Sequence, residues 1–152
     1  MNLREEDTLQ VGFLHSLSPS SQQKLLSYAE ILHYDRDEVI FRQNDPSLYL
    51  CLVKSGCVAI EVYVPTRGLR RILTLGPGEV FSWSALIEPR HETASARAME
   101  PTEVFGIKGG MLIDRCLVDC PFGYEIYKAL AGVISTRLKA TQLQMLDVFA
   151  AD

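Results

Sequence analysis

Between Ala29 and Lys108 the chain is broken into short β-type runs with turn residues about every 8 to 12 positions, a rhythm that few folds accept. The runs are EILHY, EVIFRQ, LYLCLVKSG, CVAIEVYVP, LRRILTLG, ASARAM and TEVFGIK. Between them lie Asp35-Arg36-Asp37, Asn44-Asp45-Pro46, Ser55-Gly56, Pro65-Thr66-Arg67-Gly68, Gly76-Pro77-Gly78, Glu100-Pro101 and Gly109-Gly110. Alternation is clearest at Val58, Ile60, Val62 and Val64 and around Ile72, which predicts one buried and one wet face for these strands. Seven or eight antiparallel strands of this length close most easily as a double-sheet jelly roll.

Outside that block the period becomes helical. Residues 9–30 read as a helical pair: Phe13, Leu14 and Leu17 form one apolar patch, Ser18-Pro19 supplies an N-cap with proline at the first helical position, and Leu25, Leu26 and Ala29 follow. After Gly110, MLIDRCLVDC reads as a short helix stopped by Pro121, and a long helix runs from Phe122 to about Val148. Its apolar residues Ile126, Leu130, Val133, Ile134, Leu138, Met145 and Leu146 recur at three or four positions. Such a helix is about 40 Å long, longer than one small barrel is wide. Its distal half therefore calls for a partner, most simply the same helix of a second chain in a parallel coiled-coil-like pair. The expected architecture is mainly β with flanking helices, one domain over residues 1–152: helical pair 9–30, jelly roll 30–108 and C-terminal helices 110–148.

Composition sets the outer limits. With 152 residues, 47% hydrophobic and 22% charged, the chain can bury one real core. The net charge is −4 and no basic cluster exists beyond Arg67, Arg70 and Arg71, which argues against nucleic acid as a direct partner. No apolar run approaches a membrane span, and MNLREEDTLQ lacks the pattern of a secretory leader, so a cytoplasmic protein is expected. Cys51, Cys57, Cys116 and Cys120 form no CxxC pair, and His15, His33 and His91 stand at no metal-ligand spacing to them; buried reduced thiols, no metal and no cofactor are expected. The absence of an HxH pair, a nucleophile elbow and a GxxxxGK loop argues against catalysis, including metal-dependent jelly-roll chemistry of the cupin kind.

The segment most suggestive of function is GPGEVFSWSALIEPRHETASARA, from Gly76 to Ala98. It reads as strand, glycine turn, one or two helical turns over VFSWSALI, a loop at Glu88-Pro89, and strand. A short helix with glycines crowding its amino end would offer free N–H groups and a positive dipole end to an anion or a hydroxyl-rich ligand. The same glycines serve equally well as plain turn residues.

Ser55-Gly56 before CVAIEVYV, Gly76-Pro77-Gly78-Glu79, and Thr93-Ala94-Ser95-Ala96-Arg97-Ala98 carry a resemblance over about residues 8 to 148. The chain resembles the cyclic-nucleotide-binding domains of bacterial catabolite-activator-type regulators. That resemblance implies a ligand inside the roll, between a phosphate-binding cassette and the long helix. Its implied ligand-binding set is Gly78, Glu79, Val80, Phe81, Ser82, Trp83, Arg90, Glu92, Thr93, Ala94 and Thr141. Within it Glu79 would accept from the ribose hydroxyl, Thr93 and nearby backbone would contact the cyclic phosphate, and Thr141 would meet the base. Where the family's cyclic-nucleotide binders place a phosphate-clamping arginine, this chain has Glu92. Loss of a bidentate arginine–phosphate contact costs about 1.5 to 3 kcal/mol, ten- to a hundred-fold in affinity. A carboxylate roughly 4 Å from the phosphate adds about 1 to 4 kcal/mol of repulsion. The interval from Glu79 to Glu92 is also longer than in typical members.

Arg90 in an extended segment would share a side with Glu92, pairing with it or facing solvent, or else reaching the ligand in place of the missing clamp. His91 would face the other way, at the surface or the core edge, and Trp83 with Phe81 would join the core rather than form a stacking platform. Two functions follow: a non-catalytic small-molecule sensor with altered or lost cyclic nucleotide binding, or a ligand-free dimerisation scaffold. Regulators of this type carry a DNA-binding domain after the long helix; with the chain ending at Asp152, any DNA contact would come from a separate protein or from sequence beyond this chain.

Overall fold

The computed structural model describes residues 12–150. Eight strands form the body: β1 (Glu30–Tyr34), β2 (Val39–Phe41), β3 (Tyr49–Ser55), β4 (Val58–Val64), β5 (Gly68–Leu75), β6 (Val80–Phe81), β7 (Ser95–Ala98) and β8 (Thr102–Lys108). They make two four-stranded antiparallel sheets, ordered β1-β8-β3-β6 and β2-β7-β4-β5, which is the expected double-sheet jelly roll. Helices α1 (Pro19–Ser27), α2 (Gly109–Val118) and α3 (Cys120–Ala150) flank it, with short 3₁₀ turns at Leu14–Ser16 and Trp83–Leu86.

The core lies in two layers, and β3 belongs to both. Its Leu50 and Leu52 face the helices and pack with Phe13, Leu25, Leu112, Phe122, Ile126 and Leu130. Its Cys51 and Val53 face the interior between the sheets, with Val58, Leu75, Phe81, Ala96 and Val104. A strand covered on both faces has no wet side to encode, so LYLCLV is continuously apolar where β4 alternates. The burial of β4 and β5 fades toward their shared hairpin: Val58 and Leu75 are fully buried, while Tyr63, Leu69 and Ile72 are exposed. The β4–β5 register runs from Val58↔Leu75 to Val64↔Gly68, and its far end carries the alternation beyond the sheets' common interior.

At the helices the local signals behave as their chemistry requires. The Ser18 hydroxyl accepts from the Ser21 amide with Pro19 in the first turn of α1. Before it stands a single 3₁₀ turn rather than a full first helix; residues 9–11 of the expected helical pair lie outside the described residues. Pro121 does not stop a helix. It lies in the first turn of α3, where the missing N–H has no partner to lose, and the break falls at Asp119, whose carboxylate accepts from the Phe122 amide. Cys51 and Cys116 are buried, Cys57 is half-buried and Cys120 is exposed at the start of α3, so the expectation of four buried thiols holds for two; all four are free.

The α3 helix extends about 46 Å. Ile126, Ala129 and Leu130 are buried against the roll, whereas Leu138, Met145, Leu146, Val148 and Phe149 are all more than half exposed. Among the described residues no helix is long and apolar enough to cross a membrane.

Candidate functional site

The glycine turn before β6 is closed on itself. The Gly76 amide donates to Glu79 Oε2 at 2.7 Å, the Gly78 amide to the Val53 carbonyl at 2.9 Å, and the Glu79 amide to the Gly76 carbonyl at 3.2 Å. Gly78 sits at φ +87°, a conformation that favours glycine. No free amide nest remains here, and the helix expected over VFSWSALI is instead strand β6, a break at Ser82, and one 3₁₀ turn. The reason is pairing: Val80 and Phe81 are taken up by β3 opposite Leu52 and Cys51. The anion-nest expectation for this turn is therefore replaced by a plain turn pinned to β3.

Ser82 is a non-glycine residue in the left-handed region, φ +61°. That backbone turns its hydroxyl toward Glu92 rather than toward the 3₁₀ turn that it precedes. Glu92 is 3% exposed. Its two carboxyl oxygens lie 3.0 and 2.7 Å from Ser82 Oγ, and Ser47 Oγ is 3.1 Å from the same hydroxyl. Burial pushes the Glu92 carboxyl above its ordinary range and the Asp45 charge adds to this, against the Ser82 and Ser47 hydrogen bonds that pull it down. The loops fix this position through backbone pairing: the Glu92 amide donates to the Asp45 carbonyl, the Asn44 amide to the Glu92 carbonyl and the Ser47 amide to the Arg90 carbonyl, each at 2.8 Å.

Glu92 lines a cavity of about 330 Å³ between the roll and α3, within the size range of small-molecule sites. Phe41 and Phe81, stacked with ring centroids 6.1 Å apart, and Ile60 give it an apolar wall. Trp83, Thr93 and Ala94 continue the lining, and α3 contributes Arg137, Ala140, Thr141 and Gln144.

Of the residues expected from the sequence, Phe81, Ser82, Trp83, Glu92, Thr93, Ala94 and Thr141 meet in this cavity. Gly78, Glu79, Val80 and Arg90 do not line it. Arg90 neither pairs with Glu92 nor faces solvent as expected. Its backbone is left-handed, φ +60°, which breaks the extended geometry that would have put the two on one side, and its Nε donates to the Ala85 carbonyl at 2.9 Å. His91 is exposed and Thr93 is exposed at the rim. Trp83 is half-buried: it packs against the helix-side core, as expected, and also lines the cavity. The Thr141 hydroxyl donates back to the Arg137 carbonyl at 2.9 Å.

Arg137 is the residue the sequence reading missed. Its guanidinium lies over the Trp83 ring, 4.8 Å from the centroid, and Nη2 donates to the Val80 carbonyl. Burial lowers its pKa and the nearby Glu79 charge acts in the opposite sense. The signal was available, since Arg137 precedes Thr141 by one helical turn and so shares its face.

A jelly roll whose cavity is walled by a long C-terminal helix has the fold of a regulator-like domain. Residues 31–116 match the family described as cyclic nucleotide-binding domain, and the chain belongs to that family. It is 34% identical over 93 residues to the cyclic AMP receptor protein of Thermus thermophilus, covering 61% of this chain and 43% of that protein. It is 24% identical over 149 residues to the CRP-like cAMP-activated global transcriptional regulator of Mycobacterium tuberculosis, 97% of this chain and 64% of that one. The chain thus spans less than two thirds of these relatives' lengths. A cyclic nucleotide-binding domain from Methylobacillus flagellatus shares the fold at a TM-score of 0.81 with 21% identity, over 94% of this chain and 82% of that structure.

Proposed function

We propose that this domain is a non-catalytic sensor whose cavity takes a small effector and whose long helix carries occupancy to a partner. In this reading, binding of a cyclic nucleotide with its phosphate at the Glu92 position is weakened or lost. The observation that carries it is the Glu92 carboxyl, buried on the cavity wall with hydroxyl donors only, where a phosphate clamp would need a cation. The relatives are regulators by name, which supports a regulatory role here, and the cavity volume favours a ligand over a purely structural interior. The protein acts in the cytoplasm, touches no nucleic acid directly, and pairs through the exposed apolar residues of distal α3. Those residues also support a second reading, a dimerisation scaffold that needs no ligand.

Calorimetry and thermal shift with cyclic AMP and cyclic GMP on wild type, Glu92→Gln and Glu92→Arg decide between binding and its loss. A ligand at a hundred times its Kd raises stability by about 2.7 kcal/mol, easily seen as a shift in Tm. Neither nucleotide is expected to stabilise the wild type at millimolar concentration, and Glu92→Arg is expected to gain affinity. Micromolar binding of cyclic AMP by the wild type would overturn the loss of nucleotide binding. A Glu92→Arg protein that folds and still binds nothing would remove the cassette from its assigned place.

A further inference from the structure

Two charged side chains of opposite sign line the cavity, Glu92 from the loop before β7 and Arg137 from α3. They do not pair with each other: the ion pairs among the described residues are Lys24–Asp119, Lys54–Glu103 and Arg97–Glu61, with the His33 ring also close to Glu103. Each keeps unused bonding capacity. A carboxylate can accept at about four lone-pair sites and Glu92 is met only by serine hydroxyls. A guanidinium has five N–H donors, and that of Arg137 makes one hydrogen bond, to the Val80 carbonyl, beside its contact with the Trp83 face. The neighbouring lining from Phe41, Ile60 and Phe81 is apolar, and the opposite charge that acts on Arg137, that of Glu79, forms no ion pair with it and lies outside the cavity lining. Glu92 is buried and Arg137 half-buried, and two such groups of opposite sign that do not meet are best satisfied by one molecule that bridges them.

We infer that the cavity selects a two-ended ligand: an ammonium or similar N–H-rich cationic group against Glu92, a carboxylate- or phosphate-type group on Arg137, and a flat apolar body beside Phe81 and Trp83. A purely anionic ligand would leave Glu92 as a repelling neighbour, and a purely cationic one would meet Arg137. This assignment rests on the sensor reading and narrows it to a class of effector.

The test uses a rigid probe, 4-(aminomethyl)benzoate, beside its one-ended relatives 4-methylbenzylamine and 4-methylbenzoate, with affinities from NMR titration. In the wild type the two-ended probe is expected to bind at least about tenfold tighter than either relative. Glu92→Gln, close to isosteric, should abolish the advantage supplied by the amine. Arg137→Gln should abolish the advantage supplied by the carboxylate, and Arg137→Lys should restore part of it; circular dichroism confirms that each variant folds. Equal binding of a one-ended probe overturns the inference, as does a preference that survives both glutamine substitutions. Absence of binding by all three probes at millimolar concentration also overturns it. A neutral-fragment screen then separates the two levels: fragments that perturb Phe81 and Trp83 leave the sensor reading standing, and none doing so removes that reading as well.

Discussion

Glu92 couples the site to stability. Its carboxyl is held above its ordinary value of 4.5 by burial first. Between that value and the raised folded value, the native state keeps a proton that the unfolded state has released. Stability therefore falls as pH rises through this window, because the unfolded state binds fewer protons. Glu92→Gln does not titrate, so it is expected to be more stable than wild type above the window, with the gap closing below about pH 4.5. Urea unfolding of both proteins from pH 4 to 8 measures this, and a gap independent of pH would contradict it. Gly56 shows a different residue-level demand. It sits at φ +94°, and a Cβ there would lie 2.7 Å from the Pro101 carbonyl oxygen. Gly56→Ala should destabilise by about 1 to 3 kcal/mol in denaturant unfolding, from backbone strain and the clash together.

Among elements, the contact between α2 and the 3₁₀ turn sets one wall of the cavity. A Cβ on Gly109 would meet the Ala85 carbonyl oxygen at 2.5 Å and the Ala85 Cβ at 2.9 Å. The sequence offers Gly109-Gly110 as a turn; the tertiary structure uses Gly109 for close approach at the start of α2. Gly109→Ala is expected to push back the turn that carries Trp83, lowering stability by about 1 to 3 kcal/mol and changing Trp83 fluorescence, the chain having no other tryptophan. Unchanged emission would mean the turn does not move. At the opposite end, α1 is tied to α3 by Glu125, which accepts from the Ser18 amide and hydroxyl and from the Ser21 hydroxyl. These bonds hold the Glu125 carboxyl below its ordinary range. Ser18→Ala removes both the cap and part of this tie, with an expected loss of about 1 kcal/mol in thermal or chemical unfolding.

On the scale of the molecule, the distal half of α3 carries apolar side chains that no described residue covers, Leu138, Met145, Leu146, Val148 and Phe149 among them. Ile134, Leu138, Thr141, Met145 and Val148 follow alternate steps of four and three, the spacing of a coiled-coil seam. Thr141 stands on that seam and on the cavity wall at once, so a pair of helices and a bound effector would share a residue. Leu138→Glu with Met145→Glu is expected to give a monomer in sedimentation velocity with an unchanged circular dichroism spectrum. A wild type that remains monomeric at high concentration would dispose of the pairing.

The sequence by itself determined seven of the eight strands, the helical flanks and the segment that walls the cavity, because alternation, turn residues and caps are encoded over a few neighbouring positions. EILHY and TEVFGIK coincide with β1 and β8 residue for residue. Only the tertiary structure decided what depends on distant groups meeting. β6 exists because β3 pairs with it, and Arg90 turns to Ala85 because its backbone turns left-handed. Arg137 enters the cavity because α3 lies across the roll. The Glu92 carboxyl is shifted upward because the folded chain buries it, against the hydrogen bonds of Ser82 and Ser47, 10 and 45 positions away along the chain. Burial and charge are sums over space, and no local pattern along the chain records them.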